Sequence, residues 1–157
     1  LLASKCVTTA EAGVLSDGTL PDEGAVCDPD PTVQKPDWWE KVPVPAGVGA
    51  PLNLPSVSAA LGLSDTVGYG VLRPTTLTLD ATAKAYDTAL VAAGFTSVGT
   101  QDIGVPDTVE AAYYAPNGDL FVLLVLGPKA FDSKELQSVK GAVPANTTLV
   151  LTAYVAQ

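Results

Sequence analysis

Residues 108–126 read TVEAAYYAPNGDLFVLLVL. Two strand-forming runs, 108–115 and 119–126, flank Asn117-Gly118, the strongest short hairpin signal in the chain. In the first run Tyr113 and Tyr114 are neighbours and therefore point to opposite faces of a strand. The second run, Leu120 to Leu126, is the longest apolar stretch of the protein and is apolar on both faces. A strand of that kind belongs in the middle of a sheet, covered on both sides.

Working outward, residues 81–93 carry a helical stripe of Tyr86, Ala89, Leu90 and Ala93, with Asp80 as the expected N-cap and Gly94 as the stop. Phe95 to Val98 then begins another strand. Upstream, Val67, Tyr69 and Val71, and then Leu77 and Leu79, alternate with smaller residues and read as two short strands broken at Pro74. Ser56 to Leu61 has room for one helical turn. Downstream, Asp132-Ser133-Lys134-Glu135 has capping-box spacing for a short helix ending near Lys140, and Thr147 to Val155 closes the chain as a strand. Residues 56–157 are therefore expected to form a compact α+β module: an antiparallel or mixed sheet of about five strands, one main helix and one short helix. The helices are expected on one face, which leaves the other for the N-terminal segment.

Residues 1–55 are a different kind of polymer. They hold eight of the 13 prolines and have eight acidic against three basic side chains, which favours an extended, polyproline-like arm. Cys6 and Cys27 lie in an Asp-, Gly- and Pro-rich stretch without metal-ligand spacing. The pair reads as a disulfide stapling the arm, worth about 3 kcal/mol through loop closure. Two free buried thiols, or a lipidated Cys6, are the other readings, and Lys5 directly before the cysteine argues against lipidation. The arm also carries Trp38, Trp39, Val42, Val44, Leu52 and Leu54, too apolar a set for a solvated linker. These six are the candidate partner-binding residues. In extended backbone the two indoles point opposite ways, so one can pack on the module while the other meets a partner protein or a sugar ring; both packing on the chain's own sheet is the simpler alternative.

Composition narrows the chemistry. The 157 residues contain no histidine, which removes Ser-His and Cys-His catalytic pairs and His-ligated metal sites. A formal net charge of -9 disfavours nucleic acid and anionic membranes as partners. No apolar run has the roughly 18 to 20 residues needed to span a bilayer. Only 16% of residues are charged, so part of the surface is expected to be covered by something else. With no methionine, the chain is expected to be a processed, exported product.

No nucleotide-binding, P-loop, nucleophile-elbow or EF-hand pattern is present, and no cofactor or metal is expected. The acidic loop Asp22, Glu23, Asp28 and Asp30 lacks the spacing of a calcium site and reads as solvated. Asp102, Asp107, Glu110 and Asp119 are the acids available to a carboxylate-based hydrolase. Asn146-Thr147-Thr148 is a formal glycosylation sequon.

The run AYDTALVAAGF (85–95), followed by AYYAPNGDLFV (112–122), resembles a helix-then-hairpin pattern of small exported bacterial cell-envelope proteins. The Ala, Val, Gly, Thr and Pro bias is similar to that of accessory subunits of Deinococcus-type surface layers. Copper-only superoxide dismutases also occur in such envelopes, and this chain departs from them in having no histidine to hold copper. Together with the low charge density, the two-sided apolar strand, the apolar-studded arm and the lack of a catalytic constellation, this resemblance leads to the expectation of an extracytoplasmic, non-enzymatic accessory or structural subunit that docks through its arm on a larger envelope or surface-layer protein, within an oligomeric assembly. A secreted carboxylate-based hydrolase or glycan-binding protein is the alternative, and a binding domain for a small apolar ligand is a third reading.

Overall fold

Five strands, β1 (Val67–Thr75), β2 (Thr96–Gln101), β3 (Thr108–Tyr114), β4 (Leu120–Leu126) and β5 (Thr148–Val155), form one antiparallel sheet in the order β1-β5-β4-β3-β2. Helix α1 (Leu79–Ala92) connects β1 to β2, which lie at opposite edges. The computed structural model describes residues 35–53, 67–134 and 136–155. The Cys6 and Cys27 staple, the acidic loop at 22–30, Leu54 and the turn at 56–61 lie outside the described residues.

The hairpin forms at the expected place, with Tyr114 opposite Leu120 and Thr108 opposite Leu126. Its loop is a three-residue turn. Gly118 N–H donates to Ala115 C=O, Asp119 C=O accepts from Ala115 N–H, and Gly118 takes the positive φ of 93°. Pro116 sits where its fixed φ suits the first corner of such a turn. β4 is the central strand, and its two faces enter two different cores. Phe121, Leu123 and Val125 face α1, whereas Leu124 and Leu126 face the opposite side.

Three local expectations change. β1 is one strand that runs through Pro74, while Leu79 opens α1 instead of ending a strand. Proline is tolerated because its nitrogen points away from β5. Pro74 C=O accepts from Gly49 N–H at 2.7 Å, and in an antiparallel strand the amide and carbonyl of one residue point the same way. Second, the N-cap is Thr78, whose Oγ1 accepts from Ala81 N–H, while Asp80 lies inside the first turn. The helix ends as expected: Gly94 N–H donates to Val91 C=O and Phe95 N–H to Leu90 C=O, with Phe95 and Leu90 packed in one core. Third, the short helix is two 3-10 turns, Pro128–Asp132 and Gln137–Ala142. Ser133 does act as a cap, its Oγ accepting from Leu136 N–H at 3.3 Å, but the following turn does not propagate as an α-helix.

The layers are also exchanged relative to expectation. The 3-10 segment, not the arm, covers the face opposite α1, inserting Ala130, Phe131, Leu136 and Val139 among Leu72, Leu124, Leu126, Leu149 and Leu151. Trp38, Trp39 and Val42 of the arm instead share the α1 face, and Leu52 reaches the opposite one. Asp107 anchors the 3-10 segment: its Oδ2 accepts from Lys129 N–H at 2.9 Å and its carbonyl from Gly127 N–H at 2.8 Å. This carboxylate lies so close to Gly127 that a Cβ there would sit 2.2 Å from Oδ2.

Gly127→Ala is therefore expected to destabilise the fold by about 1–3 kcal/mol. Asp107→Ala removes both the cap and the clashing carboxylate, so the double variant should cost clearly less than the two single changes added together. Urea denaturation of the four proteins measures this coupling, and strict additivity would contradict the proposed contact.

Candidate interaction surface

Of the arm residues selected from sequence, Trp38, Trp39, Val42 and Leu52 meet the chain's own sheet. Residues 37–41 form a 3-10 turn instead of extended backbone, so the two indoles do not diverge. Both are buried, Trp38 at 7% and Trp39 at 8% exposure. The Trp38 ring meets Phe95, Phe121 and Tyr154 edge-on, and Trp39 meets Tyr69 edge-on at a centroid distance of 4.7 Å. Of the two readings of the pair, the structure shows the one in which both indoles pack on the chain's own sheet, because a single helical turn aims both rings at β1, β5 and β4. Val42 packs on the same core, Leu52 packs on the opposite one, and Val44 is exposed.

Beyond the tryptophans the arm runs along β1 as an irregular outer strand. Gly49 N–H donates to Pro74 C=O and Leu52 N–H to Leu72 C=O, and Val48 bridges Thr75. Pro74 has no amide to return, and Gly49 C=O accepts instead from Arg73 Nη1 at 3.0 Å. At Gly49 a Cβ would lie 2.9 Å from the Pro74 ring, so the close approach of arm and strand needs glycine there. One sheet edge is thereby closed by the chain itself.

The candidate carboxylates are scattered and engaged. Asp119 Oδ2 accepts from Trp38 Nε1 at 2.7 Å and from Asn117 Nδ2 at 2.7 Å, tying the arm to the hairpin loop. Asp107 holds the 3-10 segment, and Asp102 Oδ1 accepts from Gly104 N–H in its own turn. Glu110, on β3, is half-buried, and desolvation raises its pKa above the usual carboxylate value. Asp87 accepts from the Tyr113 hydroxyl at 3.0 Å, and burial together with that bond holds the phenol protonated. The Tyr86 hydroxyl is buried with no hydrogen-bond partner among the described residues, and burial pushes its pKa up to about 12. Sequence reading placed Tyr86 in the core but carried no signal for this unpaired hydroxyl.

Among the described residues no group of three or more His, Cys, Asp or Glu side chains is placed to hold a metal ion. No described helix is long and apolar enough to cross a membrane.

What faces outward is the far side of the sheet. β2 is an edge strand exposed at all six positions and contains no charged residue. Within it Val98 is 55% exposed, on β3 beside it Tyr114 is 47% exposed, and a register shift between Ser97 and Gly99 bulges the strand at Val98. Sequence periodicity identified this strand without showing that it lies at an edge, because strand order is a property of the assembled sheet.

Trp38→Phe preserves an aromatic ring but removes the Nε1 donor, and is expected to cost about 1–2 kcal/mol. Asp119→Ala should cost less in the Trp38→Phe background than in the native protein, since the shared bond is already absent. Guanidinium denaturation with tryptophan fluorescence checks both, and an unchanged cost of Asp119→Ala would mean that the bond contributes nothing. No protein-family model matches this chain, and no curated protein or solved structure is significantly similar to it.

Proposed function

We propose that the chain is a non-enzymatic accessory or structural subunit of a larger extracytoplasmic assembly, docking by protein–protein contact. One observation carries this reading: β2 is an exposed edge strand with no charged side chain, which presents Val98 and lies next to exposed Tyr114 of β3. Free edges of this kind pair readily with other chains, and solitary proteins commonly guard them with charge or cover. The low overall charge density is consistent with a surface that is partly covered in use. The arm has a different part in this proposal from the one expected of it. Its described residues act as an internal strap, leaving Val44 as the exposed member of the apolar set for a partner.

Native mass measurement and crosslinking of the protein taken from the envelope fraction of its source cells test the reading. Recovery within a complex several times the 16.0 kDa of the chain is the expected result. Recovery as a free monomer, without crosslinks to any other protein, would overturn it.

The carboxylate-hydrolase reading rests on Glu110, whose raised pKa is the property wanted of a general acid. The same shift has a consequence for stability. A folded-state pKa above the unfolded value means that the folded chain holds its proton longer, so this group's contribution falls as pH rises through the window above its ordinary value of 4.5. Glu110→Gln is therefore expected to raise the melting temperature at neutral pH and to leave it nearly unchanged in acid. Thermal melts at the two pH values check the sign. Loss of a glycan-cleaving activity in the same variant would favour the hydrolase over the subunit.

A further inference from the structure

We infer that the β2 edge is a strand-addition site for an extended, basic segment of a partner protein, an inference that rests on the accessory-subunit reading and names its docking mode. The backbone supplies the first half of the argument. In an antiparallel sheet successive residues turn their amide and carbonyl to alternate sides. Leu72 points to the arm, and carrying the alternation through the pairs Leu72 with Leu151, Leu151 with Leu124, Leu124 with Glu110 and Glu110 with Gln101 turns Gln101 toward β3. Its neighbour Thr100 is thereby turned outward. Among the described residues nothing pairs with that side of β2, whereas the opposite edge of the sheet is bridged by Val48 and Leu52. An incoming strand would find an unpaired donor and acceptor at Thr100 and, across the bulge, the exposed side chain of Val98.

Charge supplies the second half. Residues 85–128, which build most of α1 and all of β2, β3 and β4, contain Asp87, Asp102, Asp107, Glu110 and Asp119 and no lysine or arginine. Three of these border the edge. Asp87 is bonded to Tyr113, the residue opposite Ser97; Glu110 lies opposite Gln101; and Asp102 directly follows the strand. The strand itself is neutral, so a partner segment bearing lysine or arginine at alternate positions would pair its backbone with β2 while its cations meet carboxylates on the flanks. A second copy of β2 fits less well, since it would bring two acidic rims together in a chain of net charge -9.

The test uses the full chain and a blocked eight-residue peptide of alternating valine and lysine, with an alternating valine and glutamate peptide as control. The cationic peptide is expected to slow hydrogen exchange of the Thr100 amide by about tenfold. Added salt should weaken that protection several-fold. Thr100→Pro, which deletes the outward donor but no bond to β3, should abolish the protection at neighbouring β2 amides while circular dichroism stays native. Thr100→Lys, which keeps the donor and reverses the local charge, should weaken peptide binding severalfold. Slow exchange at Thr100 in the isolated protein, equal protection by the glutamate peptide, or concentration-dependent protection without any peptide would each overturn the proposal, the last by showing self-pairing. In the source envelope, an assembly that survives Thr100→Pro overturns the edge-pairing mode and leaves the accessory-subunit reading standing. Absence of the native protein from any assembly removes both.

Discussion

A sheet of five strands spaced about 4.8 Å apart is about 19 Å wide, whereas one α-helix covers about 10 Å of it. Helix α1 lies over β2, β3 and β4, and the remaining width, over β5 and β1, must be covered by something else. Trp38 and Trp39 do this. Their rings meet Phe121 on the central strand, Tyr154 on β5 and Tyr69 on β1, extending the core that α1 begins with Tyr86 and Leu90. Complete burial of a Trp side chain removes about 150–250 Å² from water, so the pair contributes several kcal/mol even after allowance for a compact unfolded state. The arm is part of the folding unit for that reason, and an apolar composition that looked like an interaction surface is the missing part of a core.

The opposite face is covered by different means. Among the described residues no long helix lies there, and the two 3-10 turns, Pro128–Asp132 and Gln137–Ala142, fill it with a few inserted side chains held at their start by Asp107. Short 3-10 turns have weak intrinsic stability, so their position depends on that anchor and on Ser133. Three of the carboxylates that composition offered as catalytic candidates thus have structural work: Asp119 fastens the arm, Asp107 fastens the 3-10 segment and Asp102 closes its own turn, while Asp87 receives a buried phenol. At half-buried Glu110, desolvation raises the pKa above the usual carboxylate value.

Closing one edge and, among the described residues, leaving the other unpaired makes the sheet asymmetric. At the β1 edge the chain accommodates a proline by turning its nitrogen outward and serving Gly49 C=O from Arg73. At the β2 edge the main guard among the described residues is the bulge at Val98, since the strand has neither charge nor proline. The functional proposal is built on that contrast.

Local sequence determined the elements whose cause is local. Asn117-Gly118 marked the hairpin, the two-sided apolar run marked the central strand, and Gly94 marked the helix end, because turn geometry and side-chain periodicity act over a few residues. Tertiary structure alone decided the direction of the tryptophans, the exchange of layers and the identity of the free edge. Trp38 bonds Asp119, 81 residues away, and Leu52 pairs with Leu72 of β1, which is itself paired to β5 from the far end of the chain. The free energy of these choices lies in burying apolar area between distant segments, and a window of sequence does not contain the surface that will be buried.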